Sequence, residues 1–188
     1  MKNLIKTLEN QYHLDRKHAT KLASRFDRVI LPKGAFLIRS SETNRDLFFI
    51  EKGLCREYSV FEEGEHLYET TIQFYSENDF VFVKNPNLET PSESFFQTLE
   101  ATVIFTLPKQ SLRDFLGDNF FFERLLTEKV SRLSDRMQIF VNTRKSKNKY
   151  DKFKYAYSDI LHRIPDKMIA SYLMINPGTL SRLRGNFD

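Results

Sequence analysis

The feature that most constrains the fold of this chain is a run of short segments, from Arg28 to Leu107, in which apolar and polar side chains alternate. A period of two is the pattern of a β-strand with one buried face. The clearest examples are HLYETTIQF, with Tyr68, Thr70, Ile72 and Phe74 on one face, and ATVIFTL, with Ala101, Val103, Phe105 and Leu107 on one face. Short strands are also expected at RVIL, AFLIR, DLFFIE, LCREYSV and FVFV.

Turn signals separate these segments at Pro32-Lys33-Gly34, Glu51-Lys52-Gly53 and Glu62-Glu63-Gly64. A glycine at such a position can take a positive φ without steric cost. About eight short strands at this spacing predict a β-sandwich or barrel.

The segments on either side have helical periodicity. Residues 1 to 27 predict short helices, with Asp15 as an N-cap. After Pro108, apolar residues recur at intervals of four and three, which is the seam of a coiled coil. The seam consists of Leu126, Val130, Leu133, Met137 and Phe140. It predicts a dimerisation helix, and an amphipathic helix packed on its own β domain is the alternative.

Charge is distributed unevenly along the 188 residues, a length that suits one domain or two small ones. Residues 1–141 carry a net charge of −2, whereas residues 142–188 carry +6. This asymmetry favours a polyanionic partner for the C-terminal end. The alternative is a solvated, lysine-rich linker around Lys147 and Lys149.

Several function classes are disfavoured. The single cysteine, Cys55, is insufficient for an intramolecular disulfide or a multi-cysteine metal centre, and it suggests a reducing compartment. The four histidines are scattered, and no GxSxG, Walker or dinucleotide-binding motif is present, so no metal, cofactor or catalytic activity is expected. No apolar stretch is long enough for a signal peptide or a membrane span, which predicts a cytoplasmic protein with no membrane partner.

The sequence RIPDKMIASYLMINPGTLSRLR has the pattern of a helix-turn-helix. Pro165 and Asp166 suit the start of a first helix, and Asn176 and Pro177 suit the start of a second helix after a break at Met174. Small polar residues followed by arginines at the start of a helix are typical of a helix that enters the major groove. The predicted DNA-contacting residues are Asn176, Thr179, Ser181, Arg182 and Arg184, together with Lys147 and Lys149.

The order of these segments resembles the Crp/Fnr superfamily of bacterial transcription regulators, through LPKGAFLI, LFFIEKGLCREYSVFEEGE and the C-terminal stretch above. The resemblance implies an α+β chain with a cyclic-nucleotide-binding-like β-roll, a double-stranded jelly-roll, followed by helices. It implies a sensory domain with N-terminal helices (1–118), a dimerisation helix (119–142) and a DNA-binding domain (143–188). The implied partners are a second copy of the chain, an inverted-repeat DNA operator and, as a further candidate, RNA polymerase.

The chain departs from the family where relatives bind the cyclic phosphate. Relatives have a Gly-Glu pair and then an Arg-Ser or Arg-Thr step, whereas this chain has Asp79 and Ser92 near those positions and no arginine from Lys84 to Lys109. Loss of the bidentate guanidinium contact predicts that cAMP does not bind. The candidate effector pocket contains Asp79, Phe80 and Ser92, and its ligand is an unknown small molecule or none.

The C-terminal motif also departs from the family, with Met174 where relatives often have glycine and Gly178 where they often have glutamate. The sequence therefore predicts a DNA-binding regulator that does not respond to cAMP. A sensory or adaptor β-roll protein whose helix-turn-helix no longer binds DNA is the alternative.

Overall fold

The computed structural model describes residues 1–43, 46–83, 91–108, 111, 119–141 and 143–185. These residues form two compact units, the first containing residues 1–57 and 74–129 and the second residues 58–73 and 130–188. The chain thus crosses from one unit to the other after residues 57, 73 and 129. The predicted domain boundaries at 118 and 142 stay a prediction.

Two short helices begin the first unit, as predicted. They are α1 (Lys2–Asn10) and α2 (Arg16–Ala23). Asp15 is the N-cap of α2, because its carboxylate accepts hydrogen bonds from the backbone N–H groups of Lys17 and His18 at 3.0 and 3.1 Å. Hydrogen bonds from the side chain and backbone of His18 lower the pKa of Asp15.

The described residues that follow contain eight strands, which confirms the β-roll prediction. They are β1 (Asp27–Leu31), β2 (Phe36–Ile38), β3 (Leu47–Lys52), β4 (Cys55–Glu63), β5 (His66–Tyr75), β6 (Phe80–Val81), β7 (Phe95–Thr98) and β8 (Thr102–Leu107). One sheet has the order β1-β8-β3-β6 and the other β2-β7-β4-β5. In the first sheet, β8 is antiparallel to β1, with Thr106 opposite Asp27, and to β3, with Phe105 opposite Phe49.

The predicted one-sided burial of β5 and β8 is wrong. In β8, Thr102 and Ile104 are buried together with Phe105 and Leu107. Both faces are covered, because Phe105 and Leu107 belong to one apolar cluster and Ile104 belongs to another. In β5, Thr71 and Gln73 are buried, although they lie on the face predicted to be exposed.

Among the described residues of the first unit, buried apolar side chains form two clusters. One joins the N-terminal helices to the first sheet through Leu4, Leu8, Leu22, Phe49, Phe80 and Phe105, and the other contains Ile38, Ile50, Phe96 and Ile104. The β3–β4 turn requires glycine at position 53, where φ is +124° and a Cβ would lie 2.5 Å from the Thr102 hydroxyl oxygen. Gly34 and Gly64 also have positive φ, as predicted.

Helices complete the chain. They are α3 (Asn119–Val141), α4 (Ser146–Ala156), a 3₁₀ turn (Leu161–Arg163), α5 (Asp166–Leu173) and α6 (Pro177–Gly185). The interpretation of the basic stretch as a linker is wrong, because α4 buries Tyr150 and Phe153. The Phe153 ring lies 5.1 Å from the Tyr172 ring, centroid to centroid, so α4 packs into the core of the second unit. Among the helices of the described residues, none is long and apolar enough to cross a membrane.

Candidate nucleic-acid interface

The two C-terminal helices, α5 and α6, begin where the sequence predicts. Pro165 is the N-cap of α5 and Asp166 its first residue. Ile169, Ala170 and Leu173 are buried, so one face of α5 belongs to the core of the second unit. The small side chain of Ala170 permits close packing of a neighbouring helix at this face.

Met174 ends α5 in the left-handed conformation, with φ 51° and ψ 50°. The N–H of Met174 donates to the Ser171 carbonyl at 3.2 Å, and the N–H of Ile175 donates to the Ala170 carbonyl at 3.0 Å. This pair of hydrogen bonds is a Schellman motif, which usually has glycine at the left-handed position. The turn between the helices is therefore well formed, and Met174 occupies it at a conformational cost.

The second helix, α6, is capped and has one buried side. The Asn176 Oδ1 accepts a hydrogen bond from the Gly178 N–H at 2.8 Å, as expected of an N-cap. Leu180 is fully buried, whereas Gly178, Ser181 and Arg182 are exposed. Ser181 and Arg182 therefore lie on the open side of the helix, where a ligand can reach them.

The Arg182 guanidinium lies along the first turns of α6. Its Nε donates to the Gly178 carbonyl and its Nη2 to the Thr179 Oγ1, both at 3.3 Å. These bonds are long and are made at the surface, so they hold the side chain weakly. The Arg182 guanidinium can therefore exchange these hydrogen bonds for one to a stronger acceptor. Thr179 is half-buried beside it.

Arg184 has a partner within the protein. Its Nη1 lies 2.8 Å from the Asp166 Oδ1, which joins the end of α6 to the beginning of α5. This ion pair links the two helices at the surface. A contact between Arg184 and DNA, which would compete with this ion pair, stays a prediction.

The basic residues of α4 have different surroundings. Lys147 is exposed, whereas the Lys149 Nζ lies 4.8 Å from the centroid of the Phe140 ring. Lys154 forms an ion pair with Asp151 at 3.0 Å. Since α4 contacts both α5 and α6, Lys147 projects from the same group of helices as Arg182.

Sequence analysis did not identify the connection between β5 and α5. The Ser171 hydroxyl donates to the Glu69 carbonyl at 2.7 Å and accepts from the Thr71 N–H at 2.9 Å. The Arg136 Nη2 donates to the Thr71 carbonyl at 2.9 Å, and its guanidinium lies over the Tyr172 ring. These contacts fasten the β4–β5 hairpin to α5, and no local sequence signal reveals such long-range hydrogen bonds.

The predicted dimerisation seam on α3 has both exposed and covered members. Val130 and Met137 are 61% and 58% exposed, and Val141, which the prediction did not include, is 74% exposed. Leu133 and Phe140 are half-buried, and Leu126 packs against the core of the first unit. An apolar stripe from Val130 to Val141 therefore remains open on the second unit.

The three candidate effector-pocket residues make separate contacts. The Asp79 carboxylate accepts from the Ser76 N–H at 2.7 Å, and the Ser92 hydroxyl donates to the Ser94 carbonyl at 2.7 Å. Phe80 is a core residue, with its ring 5.0 Å from the Phe49 ring. A common pocket for these three residues stays a prediction.

Within the described ranges, no group of three or more histidine, cysteine, aspartate or glutamate side chains could hold a metal ion. Cys55 is buried, and burial raises the pKa of its thiol to about 12. This thiol is therefore protonated at neutral pH and is a poor nucleophile.

Comparisons with known proteins agree with this fold. The family model of the cyclic nucleotide-binding domain matches residues 28–119. The structure of FixK2 from Bradyrhizobium japonicum superposes with a TM-score of 0.71 at 16% identity, covering 86% of this chain and 83% of that one. The c-di-GMP-responsive global regulator CLP of Xanthomonas campestris has a TM-score of 0.67 at 11% identity, covering 92% and 91% of the two chains.

Catabolite activator protein of Thermus thermophilus gives a TM-score of 0.58 at 16% identity, covering 96% of this chain and 85% of that one. No curated protein matches the sequence itself. These structural neighbours are Crp/Fnr regulators. Residues 28–119 of this chain thus match the model of the cyclic nucleotide-binding domain, and the chain has the same fold as these solved structures.

Proposed function

We propose that this protein is a sequence-specific regulator of transcription that binds double-stranded DNA as a homodimer. The observation that carries the proposal is the open side of α6, where Ser181 and Arg182 are exposed opposite the buried Leu180. A capped helix with this arrangement can enter the major groove with its first turns against base edges.

The charges around α6 suit a polyanion. Residues 142–188 carry a net charge of +6, and the α4 helix, which contacts α6, exposes Lys147. Lysine side chains bind phosphates without reading sequence, whereas an arginine can make a bidentate contact with guanine. We assign base readout to Arg182, and phosphate or adaptable base contacts to Thr179 and Ser181.

The experiment that tests this function is selection of bound duplexes from a random pool by the full chain. We expect enrichment of an inverted repeat, because each half of a symmetric dimer reads one half-site. The Arg182→Ala variant serves as the matched comparison, and we expect it to lose preference at one base pair in each half-site. A pool without enrichment would favour the adaptor function over DNA recognition.

We also propose that cAMP and cGMP are not effectors of this β-roll. The stretch from Lys84 to Lys109 contains no arginine, and a cyclic phosphate would therefore lack a bidentate partner there. The Asp79 carboxylate already accepts a hydrogen bond from the backbone of Ser76. Calorimetric titration should show no binding of either nucleotide at micromolar concentrations, and a micromolar dissociation constant would contradict this proposal.

A further inference from the structure

A buried ion pair lies inside the first unit, and DNA binding makes no use of it. Glu57, on β4, and Lys129, on α3, are each 7% exposed. The Lys129 Nζ lies 3.5 Å from the Glu57 Oε2. Removal of two charges from water is unfavourable, so a pair this deeply buried needs further polar partners.

Both charged groups have such partners. The Tyr75 hydroxyl donates to the Glu57 Oε2 at 2.7 Å. The Lys129 Nζ donates to the Phe82 carbonyl at 2.8 Å. The pair is thus part of a network that orients the carboxylate and the ammonium.

Aromatic rings enclose the ammonium group. The Lys129 Nζ lies 5.2 Å from the centroid of the Phe82 ring and 5.1 Å from that of the Phe96 ring. Both distances lie within the range of cation–π attraction, which is strongest where water is excluded. An ammonium cation is typically bound by such a set of groups, which here consists of two aromatic rings, a carboxylate and a carbonyl oxygen.

The strands of the roll build this enclosure. Phe96, Glu57 and Tyr75 come from β7, β4 and β5, which are adjacent in the second sheet. Phe82 directly follows β6 of the first sheet. The site therefore belongs to the β-roll, whereas its occupant belongs to α3.

We propose that the β-roll contains a binding site for a primary ammonium group and that the chain fills this site with its own Lys129. The side chain acts as an internal ligand, and it fixes the beginning of α3 to the roll without an external effector. When Lys129 is truncated, the site accepts a small alkylammonium ion instead. This inference does not depend on DNA binding by the C-terminal helices.

Chemical rescue of the full chain tests the proposal. Lys129→Ala removes three side-chain carbons and the ammonium nitrogen. Propylammonium has the same number of carbons and the same charged group, so it can replace the removed atoms. Because one partner of a buried pair is lost, we expect Tm to fall by about 6 °C or more. Millimolar propylammonium should raise the Tm of this variant, whereas 1-propanol, which is neutral and similar in size, should not.

Two further variants complete the test. Lys52→Ala removes an exposed lysine at the end of β3, so it should leave Tm nearly unchanged and show no response to propylammonium. Glu57→Gln keeps an acceptor for Tyr75 but removes the charge, and in combination with Lys129→Ala it should abolish the rescue. If Lys129→Ala alone does not fold, folding that appears with propylammonium and not with propanol supports the site.

Three results would overturn the proposal. The first is a Lys129→Ala variant as stable as Lys52→Ala. The second is equal stabilisation of Lys129→Ala by propylammonium and propanol, or no response to either. The third is a rescue that persists when Glu57 is replaced by glutamine.

Discussion

Met174 carries the clearest conformational cost of any single residue in the C-terminal helix pair. The left-handed conformation costs a residue with a Cβ about 1–2 kcal/mol, and glycine avoids most of this cost. Because Met174 is 59% exposed, little packing is lost when its side chain is removed. Met174→Gly should therefore raise the free energy of unfolding by about 1 kcal/mol, measured by urea denaturation.

Met174→Ala is the matched control, because alanine shortens the side chain but retains the Cβ. We expect this variant to be no more stable than the wild type. Equal stabilisation by glycine and alanine would show that the side chain, and not the backbone conformation, carries the cost.

Single-residue features were predictable from the sequence where the chemistry is local. Asp15 and Asn176 are the caps expected, since a cap bonds to N–H groups two or three positions away. The Arg184–Asp166 pair and the Glu57–Lys129 pair were not predictable, because they join residues that only the folded chain brings together.

The Ser171 hydroxyl makes two of the hydrogen bonds that join the β4–β5 hairpin to α5. Ser171→Ala removes the acceptor for the Thr71 N–H, and Thr71 is completely buried. An unsatisfied buried donor costs about 1–3 kcal/mol, so the free energy of unfolding should fall by that amount. Chemical denaturation measures the change, and Ser134→Ala, at an exposed position on α3, should have a negligible effect.

The apolar stripe on α3 predicts that the protein is a dimer. Val130, Met137 and Val141 expose apolar side chains at helical spacing, which is unfavourable in a monomer. We expect a dimer in analytical ultracentrifugation at micromolar concentration. Met137→Asp would place a charge in the interface and should weaken dimerisation at least tenfold.

Gln138→Asp is the control for this change, because Gln138 is exposed and lies beside the stripe. This variant should remain dimeric. A wild-type chain that sediments as a monomer would contradict the coiled-coil interpretation of α3.

Elements with strong periodicity were predictable, and elements defined by tertiary contacts were not. The four residues of β7, FFQT, are too few to show an alternation of apolar and polar side chains. This segment is a strand because it pairs with β2 on one side and β4 on the other. The many lysines of α4 suggested a linker, but Tyr150 and Phe153 anchor this helix in the second unit. Both differences arise because burial of a few aromatic residues outweighs weak local preference.

The net charge differs in sign between the two parts of the chain. It is −2 in residues 1–141 and +6 in residues 142–188. A protein that binds phosphates releases counterions, so its affinity falls linearly with salt concentration on logarithmic axes. If the C-terminal region supplies the contacts, the salt dependence should come from its lysines and not from those of the first unit. Lys21→Ala, an exposed position on α2, should leave both affinity and slope unchanged.

Lys147 and Arg182 should then differ in how they affect binding. Lys147→Ala should weaken binding to operator and scrambled duplexes equally and reduce the salt slope by about 0.9 if one phosphate contact is lost. Arg182→Ala should reduce discrimination by about 1–3 kcal/mol at one base pair per half-site, because guanine loses a bidentate partner. Fluorescence anisotropy titrations at several salt concentrations measure both effects. An Arg182→Ala variant that retains the wild-type ratio of operator to scrambled affinity would show that α6 does not read the sequence through this residue.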